Sequence, residues 1–88
     1  MFHQGHHELH GVTVVVETGG PLTYVGRFDT EDDAGVHLVN VGIHDAATGG
    51  SKEEYVRRSA RFGVRTERPH LVVPRAAVSR ITPLGEVE

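Results

Sequence analysis

The segment VTVVVETGGPLTYVGRF contains two runs of alternating apolar and polar side chains, with a Gly-Gly-Pro break between them. β-Branched residues with a period of two predict strands, and a double glycine before a proline predicts a tight hairpin in which glycine supplies a positive φ. Gly26 lies inside the second run, where a glycine often marks the sharp bend that lets a small sheet curl. This segment therefore predicts a β-hairpin whose second strand is bent.

Three further apolar runs predict strands 3, 4 and 5. They cover about residues 36 to 43, 71 to 73 and 78 to 81, and the tight turn Pro74-Arg75-Ala76-Ala77 separates the last two. Five short strands with a bend in the second are typical of a small barrel. The predicted fold class is therefore mostly β, a small and strongly bent five-stranded barrel.

A helical pattern separates the third and fourth predicted strands. Ser51 with Glu54 three residues later matches a capping box, and residues 52 to 61 are mostly good helix formers. Gly63 is expected to end this helix. We therefore predict a short helical insertion within residues 46 to 68.

The chain divides into a His-rich N-terminal arm at residues 1 to 10, a barrel domain at 11 to 84 and a C-terminal tail at 85 to 88. A domain of 88 residues has a thin core, and without cysteine no disulfide can support it. Because an open barrel leaves its last two strands as unpaired edges, we predict a homo-oligomer built by edge pairing.

No apolar stretch approaches the roughly 18 to 20 residues that a membrane-spanning helix needs, so no membrane partner is predicted. The absence of cysteine fits a reducing compartment, and we expect the protein to be cytoplasmic.

Charge is unevenly distributed along the chain. The formal net charge of −3 argues against a protein that coats nucleic acid through bulk positive charge. Residues 52 to 68 nevertheless carry a local net charge of +3, while the remainder sums to −6. A solvated helix face is the ordinary explanation of such a cluster, but it is also the one place where an anion would be attracted.

Two stretches, GGPLTYVGRFDTEDDAGVHL and LVVPRAAVSRI, resemble the two motifs of the Sm and LSm family, which includes the bacterial host factor Hfq. The resemblance covers residues 10 to 45 and 70 to 82, and Ala77-Val78-Ser79 is similar to the Ala-Ile-Ser of the Hfq version. It implies an Sm-like (SH3-like) barrel that forms a ring of five to seven subunits and binds RNA. Four residues fall on positions of the first motif: Gly26, Phe28, Asp32 and Leu38.

The resemblance also implies roles for individual residues. Asp32 stands where the family's aspartate orders the loop by accepting backbone hydrogen bonds, and Arg75 stands where a phosphate or base contact is expected near the pore. Gly35 replaces the asparagine that helps to bind uracil, and Asp33 replaces the side chain that stacks on the base. A carboxylate brings repulsion where stacking is needed, so uridine binding in the family's pore-side manner is disfavoured.

The acidic run at residues 29 to 33 is predicted to be a solvated turn between strands 2 and 3. A calcium loop of the EF-hand type would need glycine at its sixth position and glutamate at its twelfth, where this chain has Ala34 and Asn40. His6 and His10 would lie one turn apart if the arm were helical, but nothing fixes the arm. No metal site is predicted.

His37 and His44 lie seven residues apart on the third strand, so their side chains are expected on opposite faces and cannot share a metal.

No catalytic residue is predicted. Three serines (Ser51, Ser59 and Ser79) lack a nucleophile-elbow setting, and Gly49-Gly50-Ser51-Lys52 lacks the first glycine of a phosphate loop. Paired carboxylates occur only in the acidic turn, which is too exposed to shift a pKa for acid-base chemistry. We expect a non-enzymatic protein without a cofactor.

Two main functions remain open on this basis, and a divalent metal held by an acidic ring or the His-rich arm is a third alternative. The first is an Sm-like ring that binds RNA or acts as an RNA chaperone, with Arg75 near the pore and an outer basic patch formed by Arg57, Arg58 and Arg61. The alternative is an oligomeric scaffold whose 52 to 61 segment recruits a protein partner and which binds no nucleic acid.

Overall fold

The computed structural model describes residues 9 to 87 and contains, within that range, a single five-stranded antiparallel sheet and one α-helix. The strand order in the sheet is β4-β3-β2-β1-β5. This arrangement confirms the mostly β class and the helical insertion between the third and fourth strands. The elements are β1 Thr13–Thr18, β2 Leu22–Asp32, β3 Gly35–Asp45, α1 Lys52–Phe62, β4 Arg68–Val73 and β5 Val78–Pro83.

Short 3-10 turns follow the last two strands. Arg75–Ala77 connects β4 to β5, as the tight turn in the sequence predicted, and Leu84–Glu86 follows β5. None of the helices between residues 9 and 87 has the length and apolar character to cross a membrane.

The long second strand is bent at the predicted glycine. Its pairing with β3 shifts register between Val25 and Arg27, on either side of Gly26, and again between Phe28 and Thr30. A Cβ at Gly26 would lie 3.2 Å from the Cα of Val41, so glycine lets the two strands approach closely there. The bend curls the sheet around its core.

The β1–β2 turn differs from the prediction in its backbone. Gly19 and Gly20 are not among the glycines with positive φ, which in the described residues are Gly11, Gly35, Gly50 and Gly63. Thr18 closes the turn instead: its hydroxyl donates to the carbonyl of Leu22 at 2.7 Å and lies 3.3 Å from the backbone N–H of Gly20. A side-chain hydrogen bond thus replaces the expected left-handed glycine.

The core has two parts, one on each face of the sheet. The main cluster lies inside the curl and contains Val14, Val16, Phe28, Val36, Leu38, Val41 and Val73. A second cluster on the other face joins Val15 of β1 and Val25 of β2 to Val56 of α1. The helix therefore covers outward-facing valines that the alternating pattern alone would leave exposed.

Caps define the ends of α1 as the sequence predicted. The hydroxyl of Ser51 accepts from the backbone N–H of Glu54 at 3.0 Å, and the N–H of Gly63 donates to the carbonyl of Ser59 at 2.9 Å. Lys52 adds a link to the sheet, since its Nζ lies 2.7 Å from Oε1 of Glu17 on β1. The helix ends at Phe62, and Gly63 is its C-cap, as predicted.

The fourth strand is longer than its predicted apolar core at residues 71 to 73, because it begins at Arg68 and includes Pro69. Proline is tolerated in a strand that has a neighbour on one side only. β4 pairs with β3, β5 pairs with β1, and both form the edges of the sheet in the described chain.

The predicted N-terminal arm lies almost wholly outside the described residues. Leu9, near its end, is attached to the barrel: its side chain packs against the main core, and its carbonyl accepts from the N–H of Val12 at 2.8 Å.

Candidate nucleic-acid interface

The side chain of Arg75 contacts the β2–β3 hairpin. Its Nη2 donates to the carbonyl oxygen of Asp32 at 2.9 Å, and its Nε lies 3.4 Å from Oε2 of Glu31. The Arg75 side chain is still 60% exposed. These contacts join the 3-10 turn to the hairpin and partly neutralise the positive charge that a phosphate would otherwise meet.

Asp32 lies at the end of β2 and organises the turn that follows. Its Oδ1 accepts from the backbone N–H of Ala34 at 2.9 Å and from Nε2 of His37 at 3.0 Å. The His37 hydrogen bond, followed by that of Ala34, lowers the pKa of the Asp32 carboxyl below its ordinary value of 3.8. Residues 29 to 32 of the acidic run do not form the predicted turn but continue β2, where residues 30 to 32 pair with β3. The turn itself consists of Asp33 and Ala34, both exposed.

Gly35 leaves no room for a side chain at the start of β3. Its φ is +136°, and a Cβ there would lie 2.2 Å from the carbonyl oxygen of Val73. An asparagine, which the Sm-like pattern would place here to bind uracil, cannot enter this backbone without displacing β4. Position 35 therefore offers a base no amide side chain.

The three arginines predicted as a basic patch lie on the exposed side of α1. At about 100° of rotation per residue, Arg57, Arg58 and Arg61 fall within an arc of about 100°, opposite the buried Val56 and Ser59. Arg75 belongs to a different element, the 3-10 turn before β5, and contacts the hairpin.

Phe62, the last residue of α1, was not singled out from the sequence. Its side chain is 77% exposed, the largest exposure of any large apolar residue in the described chain. The guanidinium of Arg61 lies 6.0 Å from the centre of its ring, at the limit of a cation–π contact. The signal available in the sequence was an aromatic residue directly before the helix-ending glycine, within the basic segment.

A cleft of about 320 Å³ lies beside this ring, between α1 and the segment that leads into β4. Arg58, Arg65 and Phe62 all line this cleft. Glu54 and Glu67 also line the cleft. We call the surface formed by Phe62, Arg58, Arg61 and Arg65 the Phe62 surface.

A second group that the sequence did not reveal lies on β3 and β4. Nδ1 of His37 is 3.3 Å from Nε2 of His70, and their ring centres are 5.4 Å apart. His70 pairs with Val39, two residues along β3 from His37, so the two imidazoles are diagonal neighbours on one face. The two histidines are 33 residues apart in the sequence, so the pair cannot be recognised until the strand register is known.

His44, the other histidine of β3, is not part of this pair. It is buried, with 7% exposure, and its Nε2 donates to the carbonyl oxygen of Gly50.

Comparisons with known proteins identify structures with a similar fold, but they find no match in sequence. No protein-family model and no curated protein sequence matches the chain. Its structure is similar to that of a Pyrococcus abyssii Sm protein solved in complex with a uridine heptamer. The TM-score is 0.62 at 18% identity, and the match covers 88% of this chain and 89% of that one.

Two other similar chains come from the NatC complex. The chain from NatC bound to CoA has a TM-score of 0.60 at 20% identity, covering 93% of this chain and 87% of that one. The chain from NatC bound to Gag peptide and CoA has a TM-score of 0.58 at 18% identity, with 86% of each covered. The protein therefore has an Sm-like fold, as the two sequence motifs predicted.

Proposed function

We propose that this Sm-like protein is a non-enzymatic RNA-binding protein that holds single-stranded RNA on the Phe62 surface. The observation that carries the proposal is the exposed ring of Phe62 with Arg61 beside it and Arg58 and Arg65 lining the adjoining cleft. An exposed aromatic side chain lowers solubility, and stacking on a base would give this ring a function at the surface. Proteins that bind single strands combine such a ring with cations that contact the backbone.

The end of the β2–β3 hairpin is a poorer candidate. Arg75 is already paired there, Gly35 excludes an amide side chain, and the exposed Asp33 would repel phosphate. The similar Sm protein was solved with a uridine heptamer, which supports RNA as the ligand class. The arrangement in this chain favours contact through α1.

The proposal includes a homo-oligomer, for which a ring of five to seven subunits remains our expectation. β4 and β5 are the two edges of the sheet, and unpaired edges are templates for pairing with another chain. A ring would repeat the Phe62 surface around its circumference, and linked sites bind a long strand more tightly than one site does.

Fluorescence anisotropy with labelled oligo-U, oligo-A and a mixed sequence tests the proposal. We expect binding that tolerates changes of sequence and weakens as salt rises, since each phosphate contact to a single strand contributes a slope of about −0.7 in log K against log salt. Failure to bind any of the three oligonucleotides at low salt would overturn it.

A second candidate function follows from the other similar chains. Both come from the NatC complex. A chain with net charge −3 also has little overall electrostatic attraction for the phosphates of RNA. In this second candidate function, the exposed face of α1 binds a protein partner. Affinity purification that recovers one stoichiometric protein and no RNA, with loss of that protein in a Phe62→Ala variant, would favour the scaffold over the RNA-binding protein.

A further inference from the structure

We propose that His37 and His70 form a two-histidine site for a borderline divalent transition-metal ion, with Zn²⁺ as the representative. The site lies on the outer face of the sheet, across β3 and the edge strand β4. It is separate from the Phe62 surface and does not depend on RNA binding.

The spacing of the two nitrogens fits a shared ion. Nδ1 of His37 and Nε2 of His70 are 3.3 Å apart. Two imidazole nitrogens bound to one tetrahedral Zn²⁺ at about 2.0–2.1 Å would be separated by roughly 3.3–3.4 Å. In the present structure a hydrogen bond spans this gap, so on ion binding the proton on Nε2 of His70 moves to Nδ1 of the same ring, which leaves Nε2 free to bind the ion.

Asp32 gives His37 the tautomer that metal binding requires. Nε2 of His37 donates to Oδ1 of Asp32 at 3.0 Å, which places the proton on Nε2 and leaves the lone pair of Nδ1 directed toward His70. A carboxylate bonded to the outer nitrogen of an imidazole also raises its basicity and fixes its ring. The Asp32 carboxylate is itself fixed by the N–H of Ala34.

The site has two protein ligands. No group of three or more His, Cys, Asp or Glu side chains that could hold an ion occurs in residues 9 to 87. Water completes the coordination, so we expect weak binding, and both imidazoles bind in their neutral form. Access is open, since His70 is exposed and the His37 side chain is 19% exposed.

Calorimetric titration with Zn²⁺ tests the proposal in a chain whose arm histidines are removed by His3→Gln, His6→Gln, His7→Gln and His10→Gln. We expect one ion per chain in this parent. His37→Gln and His70→Gln, each made in the parent, should weaken binding at least tenfold, and Asp32→Asn by about tenfold. Circular dichroism of each variant checks that it is folded.

Electron paramagnetic resonance with Cu²⁺ separates the ligands from the positioning residue. The parent should show two coordinated imidazole nitrogens, His37→Gln and His70→Gln should each show one, and Asp32→Asn should retain two. The proposal is overturned if the parent binds no Zn²⁺, or if either histidine variant binds as tightly as the parent. Either histidine variant alone can overturn the proposal, so the experiment remains decisive if the other variant does not fold.

Discussion

The ring of Tyr55 on α1 stacks on the ring of His44 on β3, with ring centres 4.7 Å apart and 16° between their planes. Nε2 of His44 donates to the carbonyl oxygen of Gly50 at 3.0 Å, which fixes the imidazole beneath the helix. A Cβ at Gly42 would lie 2.6 Å from the Tyr55 hydroxyl, so that glycine makes room for the tyrosine. This stack, together with Val56, holds the helix that carries the Phe62 surface against the sheet.

Tyr55→Phe should leave stability unchanged or raise it by up to about 1 kcal/mol. The Tyr55 hydroxyl is buried and makes no hydrogen bond of good geometry in the described chain. Burial, followed by the charge of Glu67, raises its pKa, and a weak contact with the Ser59 side chain acts in the opposite direction. Urea denaturation measures the effect. Tyr55→Ala is the matched control and should destabilise the protein by about 2–4 kcal/mol, because it removes the stack as well. A loss above about 1 kcal/mol in Tyr55→Phe would mean that the hydroxyl is bonded.

Gly35→Ala should destabilise the protein severely, by about 3 kcal/mol or more, because it combines strained φ with a clash against the backbone of β4. Gly20→Ala is the matched control, since a Cβ there meets nothing within 4 Å and its φ is not positive. It should change the unfolding free energy by less than about 1 kcal/mol. Equal effects of the two substitutions in thermal unfolding would contradict the described hairpin end.

Asp32 should contribute stability that depends on pH. Its pKa is lowered in the folded chain by His37 and by Ala34, so its contribution is fully present above the ordinary value of 3.8 and is lost as the pH falls through the folded value. The charged groups around it are His37, Glu31 and Arg75. The urea midpoints of wild type and Asp32→Asn should therefore differ most above about pH 4 and converge in more acidic buffer. A constant difference across that range would contradict this coupling.

Ser79→Pro should weaken self-association. Ser79 is exposed, and it lies at the register shift where Thr18 pairs with Val78 and Glu17 with Arg80, so it has no partner on β1. Proline there removes a donor from the free edge while it leaves those two pairings in place. Multi-angle light scattering should show an oligomer for wild type and for Ser79→Ala, and a smaller species for Ser79→Pro. If wild type were a monomer in this measurement, the proposed homo-oligomer would be wrong.

Much of the fold was predictable because it follows from local chemistry. The alternation around Val14, the bend at Gly26 and the cap at Ser51 each have a local physical cause, and the structure contains all three. The backbone of the Gly19-Gly20 turn was predicted wrongly, because a hydroxyl at Thr18 competes with positive φ as a way to close a turn.

The candidate sites were less predictable, because they depend on register and on exposure. His37 and His70 meet only through the pairing of β3 with β4, and the paired state of Arg75 depends on where the hairpin ends. Phe62 could not be distinguished in the sequence from a core aromatic residue such as Phe28, which is 2% exposed. The sequence identified the basic segment but not the ring within it.

The most direct test of RNA binding on the Phe62 surface is the affinity of Phe62→Ala for a short single-stranded RNA, measured by fluorescence anisotropy. Val12→Ala is the matched control, since Val12 is the other exposed large apolar residue in the described chain, at 37%. Loss of one stacked base costs about 1–3 kcal/mol, so we predict roughly tenfold weaker binding for Phe62→Ala and wild-type affinity for Val12→Ala. Wild-type affinity in Phe62→Ala, or an equal loss in both variants, would contradict the account.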